Sequence, residues 1–433
     1  MTPDQASAYL EGLEILGMRF GTDRMHRLLA ELGDPHGYDA SVHVVGSNGK
    51  TSTTLLTAAL LEAHGHRTGS YVSPHIDGWA ERIRVGGVPI TLETLAAGVA
   101  RVRDVADRIA AGDDRVTQFE AITAACFVAH RDAGVSVGVI EAGLGGRFDA
   151  TNVLGGGTVS VLTGLDLEHT ALLGETLAEI AAEKLAIAPE GSDRWIIGAV
   201  SEEAGAAIAQ VMDRHDLSGW WFGSEFWFEP GHDEILIRCL DEHYPDVRLW
   251  TTAPAARANA TLAVAVARRL HGRALDADVV RVVLAGTRVP GRFDRHSTTP
   301  PVIVDGAHNP AGMAALVPAL PQDGRGVAVM SVLDDKNIQQ MLRIMAPRCR
   351  RIVATRSAHQ RAIPAADLAA AAIAEGLDAT PVDEPASALA LARSMAGPDG
   401  WVVVCGSLYL VRDLHEDIAR PAAPPEDETP VAR

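Results

Sequence analysis

The sequence predicts an α/β protein: a parallel sheet carrying a phosphate loop, then a smaller Rossmann-like α/β domain. Three observations predict it. Strand-like apolar runs alternate with helical patterns along most of the chain, the pattern of a parallel sheet with crossover helices. An apolar run at 42–45 leads directly into Gly46-Ser47-Asn48-Gly49-Lys50-Thr51, a glycine-rich turn followed by a helical pattern. The 433 residues are too many for one ordinary hydrophobic core.

Each element has its own signal. The helix after the glycine turn spans about 51–64 and stops at Gly65. Residues 82–90 form a hairpin that turns at Gly86-Gly87. Buried strands are expected at 135–141, 159–163 and 195–200, an antiparallel excursion at 220–249, and a helix at 258–270. A second α/β series has strands at 302–304, 326–332, 351–354 and 401–405. The expected division is 1–287, 288–420, and a proline- and acid-rich disordered tail at 421–433.

A formal net charge of −18 argues against non-specific nucleic-acid binding, and no run of apolar residues has the length of a membrane span. The opening Met1-Thr2-Pro3-Asp4-Gln5 lacks a secretory pattern, and the four cysteines are far apart in apolar runs. A cytoplasmic monomer with reduced core thiols is expected, its partners being small molecules, not nucleic acid or membrane.

Only three of the 38 basic residues are lysine: Lys50, Lys184 and Lys336. Codon bias explains the scarcity but not where the survivors lie. Lysine is a compact amine that can lose its proton and react, which the guanidinium does not. Lys50 belongs to the phosphate loop, where it reaches the outer phosphates while the Thr51 hydroxyl binds Mg²⁺. Val44 stands where the common loop has glycine, so this is a compact variant. Glu141 ends an apolar strand before Gly143-Leu144-Gly145-Gly146, where a carboxylate holds Mg²⁺ directly or through water. His169 follows the next strand and converges on Glu141 as a ligand. Lys184 lies in an apolar helical stretch; either it snorkels, or its amine has added CO₂ to become a bidentate anionic ligand for a second Mg²⁺. Asp305 and His308 leave a later strand, and Pro290-Gly291-Arg292 puts a cation for phosphates in the hinge.

These residues resemble the folylpolyglutamate synthase/dihydrofolate synthase family of the Mur ligase superfamily. The resemblance rests on Gly46 to Ser52, Ser73-Pro74-His75, Glu81-Arg82-Ile83, Phe119-Glu120, Glu141 to Asn152, Glu168-His169-Thr170, Glu183-Lys184, Pro290-Gly291-Arg292, Asp305 to Pro310, Asp335-Lys336 and Gly406-Ser407-Leu408-Tyr409-Leu410. It implies a Mur ligase-like central domain in which Asn48, Gly49, Lys50, Thr51 and Ser52 cradle ATP. It implies Mg²⁺ at two sites, held by Thr51, Ser73, Glu141, His169 and carbamylated Lys184. Asn259 and Asp305 would hold the nucleoside and Arg292 the phosphates. Gly21, Arg82, Thr117, Phe119, Glu120 and Asp149 would contact the pterin-bearing substrate, and Lys336, Ser407 and His308 the incoming glutamate. Lys50, Lys184, His169 and His308 are the expected catalytic set.

Four positions depart from the family pattern, the first being Thr51, which follows Lys50 where the family has glycine. Ala253-Pro254-Ala255-Ala256-Arg257-Ala258 replaces a Gly-x-His-Gln segment, Glu168 replaces aspartate, and Leu185-Ala186 follows Lys184 where glycine is usual. The implied reaction is ATP-dependent amide formation through an acyl phosphate, joining L-glutamate to dihydropteroate, to folyl-(poly)glutamate, or to both. Three competing readings are a ligase for a cell-wall precursor, a paralogue with another carboxylate acceptor, and a nucleotide-binding regulator without catalysis. The absence of an Asn-Lys-x-Asp guanine motif weighs against the last.

Overall fold

A computed structural model describes residues 1–14, 19, 21–110 and 114–419; the stretch read as a tail lies outside the described residues. The chain divides into two compact units, Met1–Val289 and Pro290–Arg433.

The first unit is built on an eight-stranded sheet in the order Val88–Pro89, Ile83–Val85, Thr68–Tyr71, Val137–Glu141, Ala40–Val45, Val159–Leu162, Trp195–Ile197, Gly219–Trp221. The hairpin at one edge is antiparallel, both within itself and against Thr68–Tyr71, and the remaining neighbours pair in parallel. His43 and Val44 of the central strand point to opposite faces and are both buried, as a strand covered on both faces requires. From that strand the chain enters the helix Lys50–Ala63 and returns at Thr68–Tyr71, leaving a gap that Val137–Glu141 fills. Val159–Leu162 takes the other side. The central strand is therefore a switch point, and three neighbouring strands open their carboxyl ends onto one crevice. In register, Val44 lies beside Glu141 and Val45 beside Leu162.

Helix Lys50–Ala63 packs Leu56, Leu60 and Leu61 into the same core as Ala260, Ala263, Val264 and Ala267 of helix Pro254–His271. The latter stops at Gly272, whose φ of +79° suits a residue without a side chain. The 220–249 reading needs one correction. Gly219–Trp221 joins the main sheet in parallel with Trp195–Ile197, because Gly219 lets its backbone come against the Trp195 carbonyl. The antiparallel sheet begins at Phe226–Pro230 and continues through Glu234–Cys239 and Glu242–Arg248.

The second unit has a six-stranded sheet in the order Asp294–His296, Val302–Val304, Trp401–Cys405, Gly326–Met330, Arg351–Ala354, Asp378–Pro381, with only the first strand antiparallel. Its core gathers Met313, Met330, Met341, Ile352, Leu368 and Val403. All four cysteines are free and buried. Among the described residues, no helix is long and apolar enough to cross a membrane.

Candidate active site

The phosphate loop is shaped by its two glycines and by the neighbouring strand. Gly46 and Gly49 have φ of +145° and +87°. Ser47 N–H donates to the Gly164 carbonyl at 3.0 Å, and the Thr163 hydroxyl donates to the Asn48 carbonyl at 2.6 Å. The Ser47 hydroxyl accepts from Asp166 N–H at 3.0 Å, and the Asn48 amide donates to the Asp166 carboxylate at 3.4 Å. Lys50 Nζ donates to the Gly46 carbonyl at 2.8 Å, so the ammonium lies back over the loop. Helix Lys50–Ala63 then points its first N–H groups into the crevice. A methyl group added to Gly49 would come within 2.5 Å of Asn259 Oδ1, so helix Pro254–His271 brings that side chain against the loop.

Glu141 ends the adjacent strand and is 1% exposed. Its carboxylate accepts from the Thr51 hydroxyl at 3.0 and 3.1 Å and from Ser73 N–H at 3.3 Å. Thr51, Ser73 and Glu141 are thus brought together as oxygen-rich neighbours, a donor set that fits a hard divalent cation. Among the described residues, no group of three or more His, Cys, Asp or Glu side chains forms a ready metal cage. The set must be completed by hydroxyls, substrate oxygens or water.

The third strand end carries the segment 163–169. His169 adopts a left-handed conformation (φ +47°) just before helix Thr170–Leu173. Glu168 reaches Lys184 Nζ at 3.0 Å. Lys184 lies in helix Leu177–Leu185, whose capping box between Thr176 and Glu179 fixes its start. At 1% exposure, Lys184 does not snorkel. Burial opposes ionisation of Glu168, but the Lys184 and Lys50 charges outweigh it and hold the carboxyl down to about 2. Burial also lowers the Lys184 pKa, with Glu168 opposing. A compact amine whose proton is easier to remove fits carbamate formation.

Other expected residues fall into pairs. Arg82 Nε donates to His75 Nδ1 at 2.9 Å and lies 4.6 Å from the Trp79 ring centroid, which unites two motifs read separately. Thr117 and Glu120 form a capping box, and Glu120 is paired with Arg24 at 3.1 Å. The Phe119 ring covers Gly143, where an added methyl would come within 2.5 Å of it. Gly21 has φ of +111° with open space around its α-carbon. Asp149 is buried and bonded within its own loop. In the second unit, Asp305 accepts from Phe293 and Ala307 N–H at 2.9 and 2.8 Å; burial raises its pKa, with Arg292 opposing. His308 Nδ1 donates to the Gly306 carbonyl at 2.8 Å. Lys336 pairs with Asp335 at 3.0 Å, and Ser407 caps helix Leu408–Asp413.

Sequence reasoning assigned no role to Asp166, Glu168, Arg24 or His75. Asp166 and Glu168 had a signal, since both leave the same strand as His169. Arg24 and His75 meet their partners only through the fold.

The family described as Mur ligase, glutamate ligase domain matches residues 291–408. A probable bifunctional folylpolyglutamate synthase/dihydropteroate synthase of Haloferax volcanii is 33% identical over 438 residues. That match takes in 98% of this chain but 51% of the relative, so the chain spans about half the relative's length. A dihydrofolate synthase/folylpolyglutamate synthase of Mycobacterium tuberculosis is 34% identical over 406 residues, covering 86% of this chain and 82% of the relative. A solved Mycobacterium tuberculosis folylpolyglutamate synthase, complexed with ADP and AMPPCP, superposes with a TM-score of 0.87 at 30% identity, over 97% of this chain and 100% of that one. A Yersinia pestis folylpolyglutamate synthase/dihydrofolate synthase, complexed with AMPPNP and Mn ion, gives a TM-score of 0.85 at 26% identity, over 97% and 98%. Sequence and fold agree that the chain belongs to the folylpolyglutamate synthase/dihydrofolate synthase family, ATP-dependent ligases of the Mur ligase superfamily.

Proposed function

We propose that this chain joins L-glutamate to dihydropteroate, to folyl-(poly)glutamate, or to both, at the expense of ATP. One observation carries the reading. The phosphate loop, Glu141 and the 163–169 segment end three neighbouring parallel strands, with Lys184 buried against Glu168. A cationic loop beside a hard-oxygen donor set is what bringing two anions together demands.

In the proposed reaction an acceptor carboxylate oxygen attacks the γ-phosphorus of ATP. A new O–P bond forms, the bond to the β-phosphate oxygen breaks, and ADP leaves with an acyl phosphate behind. The glutamate amine then attacks the acyl carbon, and the C–O bond breaks to release phosphate. Lys50 and the amide groups of 48–52 would bind the phosphates, with Arg292 adding a second cation. Asn259 and Asp305 would hold the nucleoside. Thr51, Ser73 and Glu141 would hold one Mg²⁺, and His169 with carbamylated Lys184 a second; bound there, the cations neutralise developing phosphoryl charge. His308, whose Nδ1–H is committed to the Gly306 carbonyl, would take the amine's proton on its other nitrogen. Lys336 and Ser407 would orient the incoming glutamate. Arg82, Phe119 and the loop after Glu141 would face the pterin. A cytoplasmic monomer working on small molecules completes the reading.

Incubation with ATP, Mg²⁺, L-glutamate and each pterin acceptor tests it. Products read by mass should gain one glutamyl unit or more. ATP turnover that ignores both glutamate and every acceptor overturns it, and turnover with a UDP-muramoyl acceptor instead would move the chain to cell-wall chemistry.

A further inference from the structure

Asp149 is 6% exposed, and its carboxylate is bonded inside the protein. One oxygen accepts from Leu144 N–H at 2.9 Å; the other accepts from Thr151 N–H at 2.9 Å and from the Thr151 hydroxyl at 2.5 Å. Thr151 has one hydroxyl proton and gives it to Asp149. Its contact with His43 Nε2 at 2.8 Å must therefore be a bond it accepts. His43 thus carries its proton on Nε2. Burial holds its pKa down to about 3, so the ring is neutral. His43 is 1% exposed and lies in the central strand, paired with Ile140 and Ser160, just before the phosphate loop. Neither His43 nor Thr151 has a role in the reaction above, and Asp149 is expected there only as a contact of the acceptor.

The relay ends on the backbone just after Glu141. Asp149 fixes the N–H of Leu144, and the preceding Gly143 is the residue covered by the Phe119 ring. The phosphate loop is held separately, through Thr163, Gly164 and Asp166. Slack in the relay would reach Phe119 and the 143–148 loop before it reached the nucleotide side.

We propose that His43, Thr151 and Asp149 act as one buried positioning relay that sets the 143–148 loop for the acceptor. The acceptor assignment rests on the ligase reading. The test compares Thr151→Val, which keeps the shape and loses the hydroxyl, with Thr151→Ser, which keeps it. Amide exchange at 143–152 should quicken in Thr151→Val and stay near wild type in Thr151→Ser. The acceptor KM should rise roughly tenfold in Thr151→Val while the KM for ATP stays within about twofold, and serine should restore it. Unchanged exchange in Thr151→Val overturns the relay. Faster exchange with equal losses toward ATP and acceptor, or with no change in acceptor KM, overturns its role in acceptor positioning. A wild-type enzyme that glutamylates no acceptor overturns the ligase reading and the acceptor role with it, while the exchange result still decides the relay.

Discussion

Lys184 Nζ lies 3.0 Å from the Glu168 carboxylate, with side chains only 2% and 12% exposed. A buried ion pair of this kind costs desolvation on both sides, and removing one partner strands the other, typically a loss of about 3–5 kcal/mol. A surface lysine could be replaced by arginine with little effect; this one is buried with its amine against Glu168.

Lys184→Ala is expected to lower kcat by about 100-fold or more, the size of loss seen when a transition-state charge stabiliser is removed. A small carboxylate such as acetate should restore part of it by standing in for the carbamate. Wild-type protein in ¹³C-bicarbonate should give a carbamate resonance that the variant lacks. Full turnover by Lys184→Ala, or no such resonance in an active enzyme, would reject the modification.

Glu141→Gln keeps the acceptor for the Thr51 hydroxyl but removes the negative charge. The Mg²⁺ concentration for half-maximal activity should rise by about tenfold or more. Thermal stability should change little, because the amide oxygen of the substituted side chain can still accept from Thr51 and Ser73. Initial rates across a Mg²⁺ series decide the matter; an unmoved curve excludes Glu141 as a ligand.

At Gly49, alanine would face both a left-handed backbone and Asn259 Oδ1 at 2.5 Å. The backbone strain alone is about 1–2 kcal/mol. Gly49→Ala should therefore raise the KM for ATP roughly tenfold, since about 1.4 kcal/mol is a factor of ten. The constants for glutamate and acceptor should hold. Equal effects on all three substrates would mean general damage to the unit.

Two buried histidines set an acid limit on the first unit. Burial depresses His43 to about 3 and His130 to about 4, from an ordinary 6.5. The folded state keeps both neutral, while the unfolded chain gains protons as pH falls below 6.5. Stability is full above that value and lost on the way down. Between pH 7 and pH 5 each should cost about 2 kcal/mol. Urea melts at the two pH values check this, and His43→Gln should flatten the slope by about half.

Much of the framework was legible in the sequence. The strands at 42–45 and 401–405, the glycine turn and the helix after it have local signatures, because apolar runs and glycine chemistry depend on near neighbours. Glu141 was legible for the same reason, as an acid ending a buried strand. What stayed hidden depends on strand order. That Asp166 holds Asn48, that Arg82 meets His75, and that Thr151 reaches His43 all follow from which strand lies beside which. The misread Gly219–Trp221 strand has the same cause: its length and aromatic content do not say which neighbour it chooses.

The gap left beside the central strand has a consequence for biosynthesis. A nascent chain that has just emerged with its glycine turn and following helix owns no nucleotide pocket. One wall arrives with Val137–Glu141 and the other with Val159–Leu162. Ribosome-stalled chains ending before Val159 should therefore capture no nucleotide, and affinity should appear only after Asn259, which lies against the phosphate loop, has also cleared the exit tunnel.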